Sequence, residues 1–378
     1  MYASARTIRI SQLSFLRPGL VALLLAVPAV ACAQWQLLDP PTTADLRGID
    51  NVGGGVAWAS GTKGTVVRTE DGGYLWQHCS TPPGAEKLDF RGIQAFDENT
   101  AIVMSSGPGD QSRIYKTTNG CQSWTLLFNN PDPAGFWDVV RIANRSAAQA
   151  LVLGDPVDGH FARYQASLDG KQLQPLTAQG PRADAGEGLF AASNTSLDIN
   201  SATHTAVLGT GDPLGARILV ACGSCQTKGL WESKPLPGFA FGKSAGIFSV
   251  KNQGFVWQAV GGDYRKPNDA TGTAAYSLDN AATWHLTQTS PHGYRSAVAY
   301  DADHKTWITV GPNGTDISTD DGRTWRPLIP SAADHDAPDA DQHWNALSLP
   351  FVVGPNGRIG KLRGDALPES AKTKQTKP

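Results

Sequence analysis

Neither sign of charge predominates in this chain of 378 residues: it has 32 Lys and Arg residues and 34 Asp and Glu residues, for a formal net charge of −2. Without a basic excess, the chain lacks the electrostatic signature of nucleic-acid-binding proteins and their general attraction to anionic surfaces. It also has no dinucleotide-binding fingerprint and no haem or flavin motif. An oxidoreductase is therefore not predicted, and we expect neither a cofactor nor a metal ion.

Long apolar runs are missing beyond the first 33 residues. Within that stretch, three arginines precede an apolar run over residues 20–30, which is too short to span a bilayer comfortably. Ala31-Cys32-Ala33 then fits an A-x-A cleavage site. We predict a signal peptide over residues 1–33 and an exported mature chain, periplasmic or secreted, without a transmembrane segment. A lipoprotein is the alternative, because Ala29-Val30-Ala31-Cys32 resembles a weak lipobox.

Methionine is scarce, at 2 residues, whereas 41 Gly, 25 Pro and 11 Trp residues give a composition typical of a β-rich exported domain. A phrase recurs in which Ser or Thr is followed by Asp or Asn at the third position and by Trp at the eighth. Its copies are 69–76, 117–124, 277–284 and, the best of them, 318–325. Asp and Asn accept hydrogen bonds from nearby backbone N–H groups and Gly tolerates positive φ, so the phrase predicts a hairpin turn with a Trp anchor. Isolated turns in a β-sandwich are the alternative.

The phrase resembles the Asp-box, or BNR, motif of sialidase-like β-propellers, where it lies between the last two strands of a blade. Candidate innermost strands precede the copies at intervals of roughly 44–57 residues, which is the length of a blade. These candidates are Leu46–Asp50, Phe90–Phe96, Phe136–Ile142, Leu189–Ile199, Gly246–Val250, Tyr294–Tyr300 and Trp344–Leu349. They predict an all-β, seven-bladed β-propeller over residues 34–364.

The seventh blade has no fourth strand of its own at the end of the chain. Trp35–Leu38 is the candidate for that strand, so we expect the mature N-terminal strand to close the ring, which removes exposed sheet edges. Residues 365–378 are rich in Lys and Thr and have little to bury, so they predict a disordered tail. We expect the protein to be a monomer.

Four cysteines follow the predicted cleavage site, and an even number favours disulfides in an oxidising compartment. Cys79 follows the phrase of the first blade and Cys121 lies inside that of the second, so we predict a bridge between neighbouring outer strands. Cys222 and Cys225 form a C-x-x-C pair with three interpretations. It is a structural disulfide across a turn, a redox site that lacks a helix to lower a thiol pKa, or half of a metal site that lacks a second ligand pair.

Propeller geometry predicts where a ligand would bind. The repeated phrases lie on one face, whereas the loops that enter the innermost strands, or join second to third strands, surround the funnel on the other. The candidates in those loops are Arg47, Arg91, Asp138, Asp155, Asp158, Asn194, Asp212, Asp263, Tyr264 and Arg295, with Glu187 and His292 beside them. Guanidinium groups bind planar oxyanions through two hydrogen bonds, and nearby carboxylates hold them or act as acid and base. The alternative is that the arginines only pair with loop carboxylates and that the Gly-Asp-Pro loops are plain turns.

Other phrases resemble the photosystem II stability/assembly factor family and its exported bacterial relatives over about residues 35–363. They are Leu46-Arg47-Gly48-Ile49, Asp89-Phe90-Arg91-Gly92-Ile93, Arg113-Ile114-Tyr115-Lys116-Thr117-Thr118, Leu153-Gly154-Asp155-Pro156-Val157-Asp158-Gly159, Phe190-Ala191-Ala192-Ser193-Asn194-Thr195, Gly261-Gly262-Asp263-Tyr264 and Gly293-Tyr294-Arg295-Ser296. The resemblance implies a non-enzymatic propeller that helps membrane or exported proteins assemble and contacts its client protein through Arg47, Arg91 and Arg295. An anionic ligand is the other occupant for which these arginines are suited. We therefore expect the Arg47→Ala, Arg295→Ala double variant to lose binding with little change in melting temperature.

An enzyme of the sialidase type, an exo-acting glycosidase, is the second hypothesis. It would use Tyr264 as nucleophile and Asp155 or Asp212 as the acid. The Arg-Ile-Pro motif that opens sialidase domains is missing, and no Glu is assignable as the partner of the tyrosine, Glu187 being only a guess. These departures favour binding over hydrolysis.

Overall fold

The computed structural model describes Met1 and residues 34–176, 180–211, 213, 215–222, 231–332 and 335–367, apart from the side chain of Cys222. The described residues form seven four-stranded antiparallel sheets and no α-helix. Within these ranges, therefore, no helix has the length and apolar character needed to cross a membrane. The predicted all-β, seven-bladed propeller is confirmed.

Each sheet is one blade, and its strands follow one another from the funnel outward. Blade 1 consists of β2 (Leu46–Gly53), β3 (Val56–Gly61), β4 (Val66–Thr69) and β5 (Gln77–His78). Blade 2 consists of β6 (Phe90–Ala95), β7 (Ala101–Ser105), β8 (Arg113–Thr117) and β9 (Thr125–Asn129), and blade 3 of β10 (Trp137–Ile142), β11 (Gln149–Val157), β12 (His160–Ser167) and β13 (Leu173–Pro175).

Blade 4 consists of β14 (Leu197–Asn200), β15 (Thr205–Gly209), β16 (Arg217–Cys222) and β17 (Trp231–Pro235), and blade 5 of β18 (Ala245–Gln253), β19 (Val256–Asp263), β20 (Ala274–Ser277) and β21 (His285–Leu286). Blade 6 consists of β22 (Ala297–Asp301), β23 (Thr306–Gly311), β24 (Gly314–Ser318) and β25 (Arg326–Pro327), and blade 7 of β26 (Ala346–Ser348), β27 (Phe351–Val353), β28 (Ile359–Leu362) and β1 (Trp35–Leu38).

The seventh sheet joins the two ends of the described chain. β1 pairs antiparallel with β28, in a register that sets Trp35 opposite Leu362. Just outside the strands, the Arg363 N–H donates to the carbonyl oxygen of Gln34 at 3.0 Å. The packing continues past the predicted boundary at Gly364, because Ala366 and Leu367 are buried in the same core.

The core of the protein is divided among the interfaces between blades. Seven clusters of buried apolar side chains occur in the described ranges, and each combines residues of two neighbouring sheets. The second strands are sandwiched on both faces, so β7 and β23 are buried along their whole length. Outermost strands such as β5 and β25 are exposed. Burial on both faces explains why the second strands read as continuous apolar runs.

The four repeated phrases form one kind of turn between the third and fourth strands of blades 1, 2, 5 and 6. In blade 6, the Ser318 hydroxyl donates to Asp320 Oδ1 and accepts the Gly322 N–H at 3.0 Å, while Asp320 Oδ1 also accepts the Thr324 N–H at 3.0 Å. The other three turns repeat these bonds within about 0.2 Å. The closing Trp325 is buried in the cluster shared with blade 5, so each turn also anchors its blade to the preceding one.

The innermost strands surround the central channel, each in contact with the next. The backbone N–H groups on their free edges donate hydrogen bonds to side chains of the preceding blade. The donor and acceptor residues are, in that order, Asn51 and Ser348 (3.0 Å), Ala95 and Asp50 (2.8 Å), Ile142 and Gln94 (3.2 Å), Asn252 and Asp198 (3.0 Å), and Val298 and Ser249 (3.1 Å). Edge groups that would otherwise be unpaired thus tie the blades together.

One disulfide joins neighbouring blades. Cys79, directly after β5, is bonded to Cys121 in the turn between β8 and β9, as the sequence predicted. The Cys222 side chain and Cys225 lie outside the described residues, as do the predicted signal peptide, except Met1, and residues 368–378 of the predicted tail.

Candidate functional site

Five β-bulges shape the funnel mouth. Near the start of four innermost strands the register slips by one residue, and the extra residues are Arg47 in β2, Arg91 in β6, Asp138 in β10 and Phe248 in β18. A fifth bulge, where β11 pairs with β12, has Asp155 as its extra residue. A bulge re-aims the side chain of its extra residue. All five side chains line one cavity of about 490 Å³.

Glycine follows the arginine in blades 1 and 2 because the next blade comes too close for a side chain. A Cβ atom on Gly48 would lie 2.8 Å from the Arg91 carbonyl oxygen, and one on Gly92 would lie 2.9 Å from Cγ1 of Val140. This close approach sets Arg47 and Arg91 side by side at the mouth.

The two arginines share one carboxylate. Arg91 Nε donates to Asp89 Oδ2 at 2.9 Å, and Arg91 Nη1 donates to the Ala191 carbonyl oxygen at 3.0 Å. Arg47 has looser contacts: its nitrogens lie 3.9 Å from oxygens of Asp45 and Asp89, and its buried Nε has no hydrogen-bond partner among the described residues. Because hydrogen bonds need about 2.7–3.2 Å, the Arg47 guanidinium remains able to bind an acceptor.

Two carboxyl groups lie on the blade 3 side of the cavity. Asp138 is 1% exposed, and its Oδ2 has no hydrogen-bond partner within the described ranges. Burial, followed by the negative charge of Asp155, raises the pKa of Asp138 well above its usual range, against the opposing charge of Arg91. Burial also raises the pKa of Asp155, against a hydrogen bond from the Leu189 N–H at 2.9 Å. The two acids therefore hold protons more firmly than exposed aspartates.

Aromatic rings form the wall contributed by blades 4 to 6. Phe190 stacks on Phe248 with ring centroids 3.8 Å apart, and the Tyr294 ring meets Phe248 edge-on at 4.7 Å. Tyr264 is 46% exposed and also contacts Phe248. Burial raises the pKa of Tyr294, with Arg47 and Arg91 opposing the shift. The exposed Lys243 adds a third positive charge to the cavity lining.

Arg295 does not join Arg47 and Arg91, which corrects the predicted trio. Its side chain is fully buried and paired with the buried Asp316, to which Nε donates at 2.8 Å. Nη2 also donates to Asp316 Oδ2, and Nη1 donates to the Tyr294 carbonyl oxygen at 2.7 Å and to Asn313 Oδ1 at 2.5 Å. His292 is bound to the same carboxylate, 2.8 Å from Asp316 Oδ1. This cluster lies inside blade 6 and does not line the cavity.

Other sequence candidates also lie away from the cavity lining. Asn194 is buried, and its amide binds both the N–H and the carbonyl of Val140, at 2.8 and 3.0 Å. Asp263 accepts hydrogen bonds from Ser244 and the Arg265 N–H, and Asp158 is exposed in the turn after β11. Glu187 pairs with Arg217 at 2.7 Å. Asp212 lies outside the described residues.

The opposite end of the channel has its own cavity, of about 430 Å³. Its charged groups are largely paired with one another: Arg145 binds Asp50 at 2.5 and 2.8 Å, and Lys251 lies 3.3 Å from Asp198. In the described part of the chain, no three His, Cys, Asp or Glu side chains come together as ligands for a metal ion.

Five contributors to the mouth were not predicted as site residues. Asp89, Phe190 and Tyr294 belong to the phrases that carried the family resemblance, but the contact of Asp89 with the arginines and the places of the two rings in the cavity wall depend on the approach of neighbouring blades. Phe248 reads as a core residue of a strand, since its bulge is invisible in the sequence. Lys243 carries no sequence signal.

Comparisons with known proteins bear on the fold. No protein-family model and no curated protein sequence matches the chain. A solved structure of YCF48 bound to a D1 peptide is 17% identical, with a TM-score of 0.61, over 89% of this chain and 99% of that chain. YCF48 from Cyanidioschyzon merolae is also 17% identical, with a TM-score of 0.60, over 88% and 99%.

An enzyme shares the architecture as well. The GH74 xyloglucanase from Xanthomonas campestris is 15% identical, with a TM-score of 0.54, over 87% of this chain and 53% of that chain. At these identities the likeness concerns the fold alone. In fold, the chain is a seven-bladed propeller similar to YCF48 along nearly its whole described length.

Proposed function

We propose that this protein is an exported, non-catalytic binding propeller that holds a carboxylate-bearing segment of a client protein at the funnel mouth. The observation that carries the proposal is the set of five bulges, which directs two arginines, two acids and an aromatic ring into one cavity. Bulges at such positions are features that aim side chains toward a site. Export is supported by the order of features in residues 1–33, where arginines are followed by an apolar run and then by an A-x-A cleavage pattern.

The chemistry of the mouth fits a carboxylate beside an apolar group. Arg47 has free donors, and Arg91 is held in place by Asp89, so that the pair presents guanidinium groups to an oxyanion. On the other side, the half-exposed Tyr264 offers ring surface that a side chain can cover, with the buried Phe248 packed behind it. A polypeptide supplies both groups within a few ångströms, and YCF48, a propeller of the same fold, has been solved with a peptide bound.

A bead-bound library of hexapeptides tests the proposal. One form has free C-terminal carboxylates, a second has amidated C-termini, and a third is amidated and lacks Asp and Glu. We expect wild-type protein to enrich peptides in which a carboxylate adjoins an aromatic or aliphatic residue, and to leave the third form unbound. The difference in enrichment between the first two forms shows whether the protein binds a terminal carboxylate or one on a side chain.

Variants connect that binding to the mouth. The Arg47→Ala, Arg91→Ala double variant should lose the enrichment, while Arg326→Ala, which removes an exposed arginine from the outer strand β25, should retain it. Equal enrichment by the double variant, or strong binding of the carboxylate-free library, would refute the proposal.

A second candidate function is glycoside hydrolysis, because Tyr264, Asp138 and Asp155 line the same cavity. A raised pKa suits Asp155 to the role of general acid. However, no described carboxylate is hydrogen-bonded to the Tyr264 hydroxyl, as activation of a tyrosine nucleophile would need. Fluorogenic sialosides and other exo-glycosidase substrates should therefore remain intact, and turnover that disappears in Tyr264→Phe and Asp155→Asn would favour the enzyme instead.

A further inference from the structure

The carboxyl group of Asp138 is placed unlike any other acid of the cavity. It is the extra residue of the β10 bulge, it lines the cavity with Arg47 and Arg91, and it is 1% exposed. Its Oδ2 has no hydrogen-bond partner among the residues described. A buried polar atom without a partner is costly, and at a cavity wall a bound molecule that supplied the partner would relieve that cost.

We propose that the protonated carboxyl group of Asp138 donates a hydrogen bond to the bound carboxylate, completing a cradle whose other donors are Arg47 and Arg91. The inference rests on the proposed function and assigns a specificity-determining residue to that site. An ionised Asp138 would repel the same carboxylate, so binding requires that Asp138 keep its proton.

The surroundings of Asp138 favour the protonated form. Burial is the main cause of its raised pKa, and the negative charge of Asp155 on β11 adds to it. The Arg91 charge on β6 opposes both, and the backbone amides of Asp155 and Ala191 oppose them more weakly. β7 also contacts β10 and has no titratable side chain, while Asp198 of β14 lines the opposite cavity.

Short peptides of defined structure test the assignment by titration calorimetry between pH 5 and pH 9. The probes are acetyl-Gly-Phe with a free carboxylate, its C-terminal amide, and acetyl-Phe-Glu-amide, whose carboxylate is on a side chain. Wild-type protein should bind a carboxylate probe at pH 5 and lose about tenfold or more in affinity as Asp138 ionises, since a hydrogen bond to a charged group is lost and repulsion replaces it.

Three variants separate the possible roles. Asp138→Asn has a permanent donor, so it should bind at pH 9 as tightly as wild type binds at pH 5. Asp138→Ala should bind about tenfold more weakly than wild type at pH 5, without the loss at higher pH. Asp158→Asn changes an exposed acid of the same blade and should reproduce the wild-type pH profile.

The outcomes distinguish this inference from the proposed function. Carboxylate binding that depends on Arg47 and Arg91 but is unchanged in Asp138→Asn and Asp138→Ala would overturn the inference alone, as would wild-type affinity that increases with pH. If no form of the protein bound a carboxylate probe at any pH, both proposals would fall. Should Asp138→Ala not fold, the near-isosteric Asp138→Asn profile decides the matter, with circular dichroism as the check on folding.

Discussion

Replacing Arg295 with alanine should destabilise the protein strongly, in contrast to the small effect that the sequence suggested. Arg295 and Asp316 are 0% and 1% exposed at their side chains, so the substitution leaves a carboxylate buried with His292 as its main remaining partner. Breaking a buried ion pair by removing one partner costs about 3–5 kcal/mol. For a chain of this size, such a loss lowers the melting temperature by about 5–15 °C.

Thermal and urea unfolding, followed by tryptophan fluorescence, measure this effect. The matched control is Arg326→Ala, an exposed arginine of the same blade, which should change the free energy of unfolding by less than about 0.5 kcal/mol. Replacing the pair together, as Arg295→Met with Asp316→Leu, should recover at least about 2 kcal/mol of the loss, because no unpaired charge then remains.

The pH dependence provides an independent check. Burial raises the pKa of Asp316, but the hydrogen bond from His292 and the charge of Arg295 outweigh it and lower the pKa below the ordinary value. The resulting stabilisation is present above the pKa of the unfolded chain and is lost as the pH falls through the folded value. An Arg295→Ala melting temperature within one degree of wild type would refute the assignment of a buried ion pair.

Three further predictions concern other parts of the molecule. The raised pKa of Asp138 costs folding free energy above the pKa of the unfolded chain, so Asp138→Asn should be more stable than wild type at pH 8 and no more stable at pH 3, as measured by urea unfolding. Reduction of the Cys79–Cys121 disulfide, which spans 42 residues, should lower the free energy of unfolding by about 4 kcal/mol if the disulfide acts by restricting the unfolded chain. Dithiothreitol should therefore lower the melting temperature of the wild type but not that of the Cys79→Ser, Cys121→Ser variant. Asp320→Ala should cost about 1–3 kcal/mol by calorimetry because it removes the acceptor in a repeated turn, whereas Asp320→Asn should cost less, since Asn119 already fills that position in blade 2.

The architecture could be predicted from the sequence because it repeats. Each repeated phrase carries its own hydrogen bonds within eight residues, so Ser318 and Asp320 specify their turn without help from distant residues. The spacing of those turns then leaves room for the same four strands in each blade. Local determination of this kind is what a sequence can report directly.

Among the arginines, the candidate site could be predicted only where a bulge follows a recognisable pattern. Arg47 and Arg91 precede glycines, and both side chains reach the funnel. Arg295 precedes Ser296 in a similar phrase, but the pairing of β22 with β23 has no bulge, and Asp316 of β24 binds the guanidinium inside the blade. Asp316 lies 21 positions from Arg295 on another strand. The local sequence therefore does not distinguish an arginine that reaches the cavity from one that is paired inside its blade.

Pairing of β1 with β28 has a consequence for the order of events in folding. Trp35 pairs opposite Leu362, so the seventh sheet can be completed only after nearly all of the described chain has been synthesised. Until then β1 has no strand to pair with, and such long-range closures are slow and exposed to mispairing with other chains. Pairing of β1 with β28 is therefore the step of folding at which association with another chain competes with the native structure.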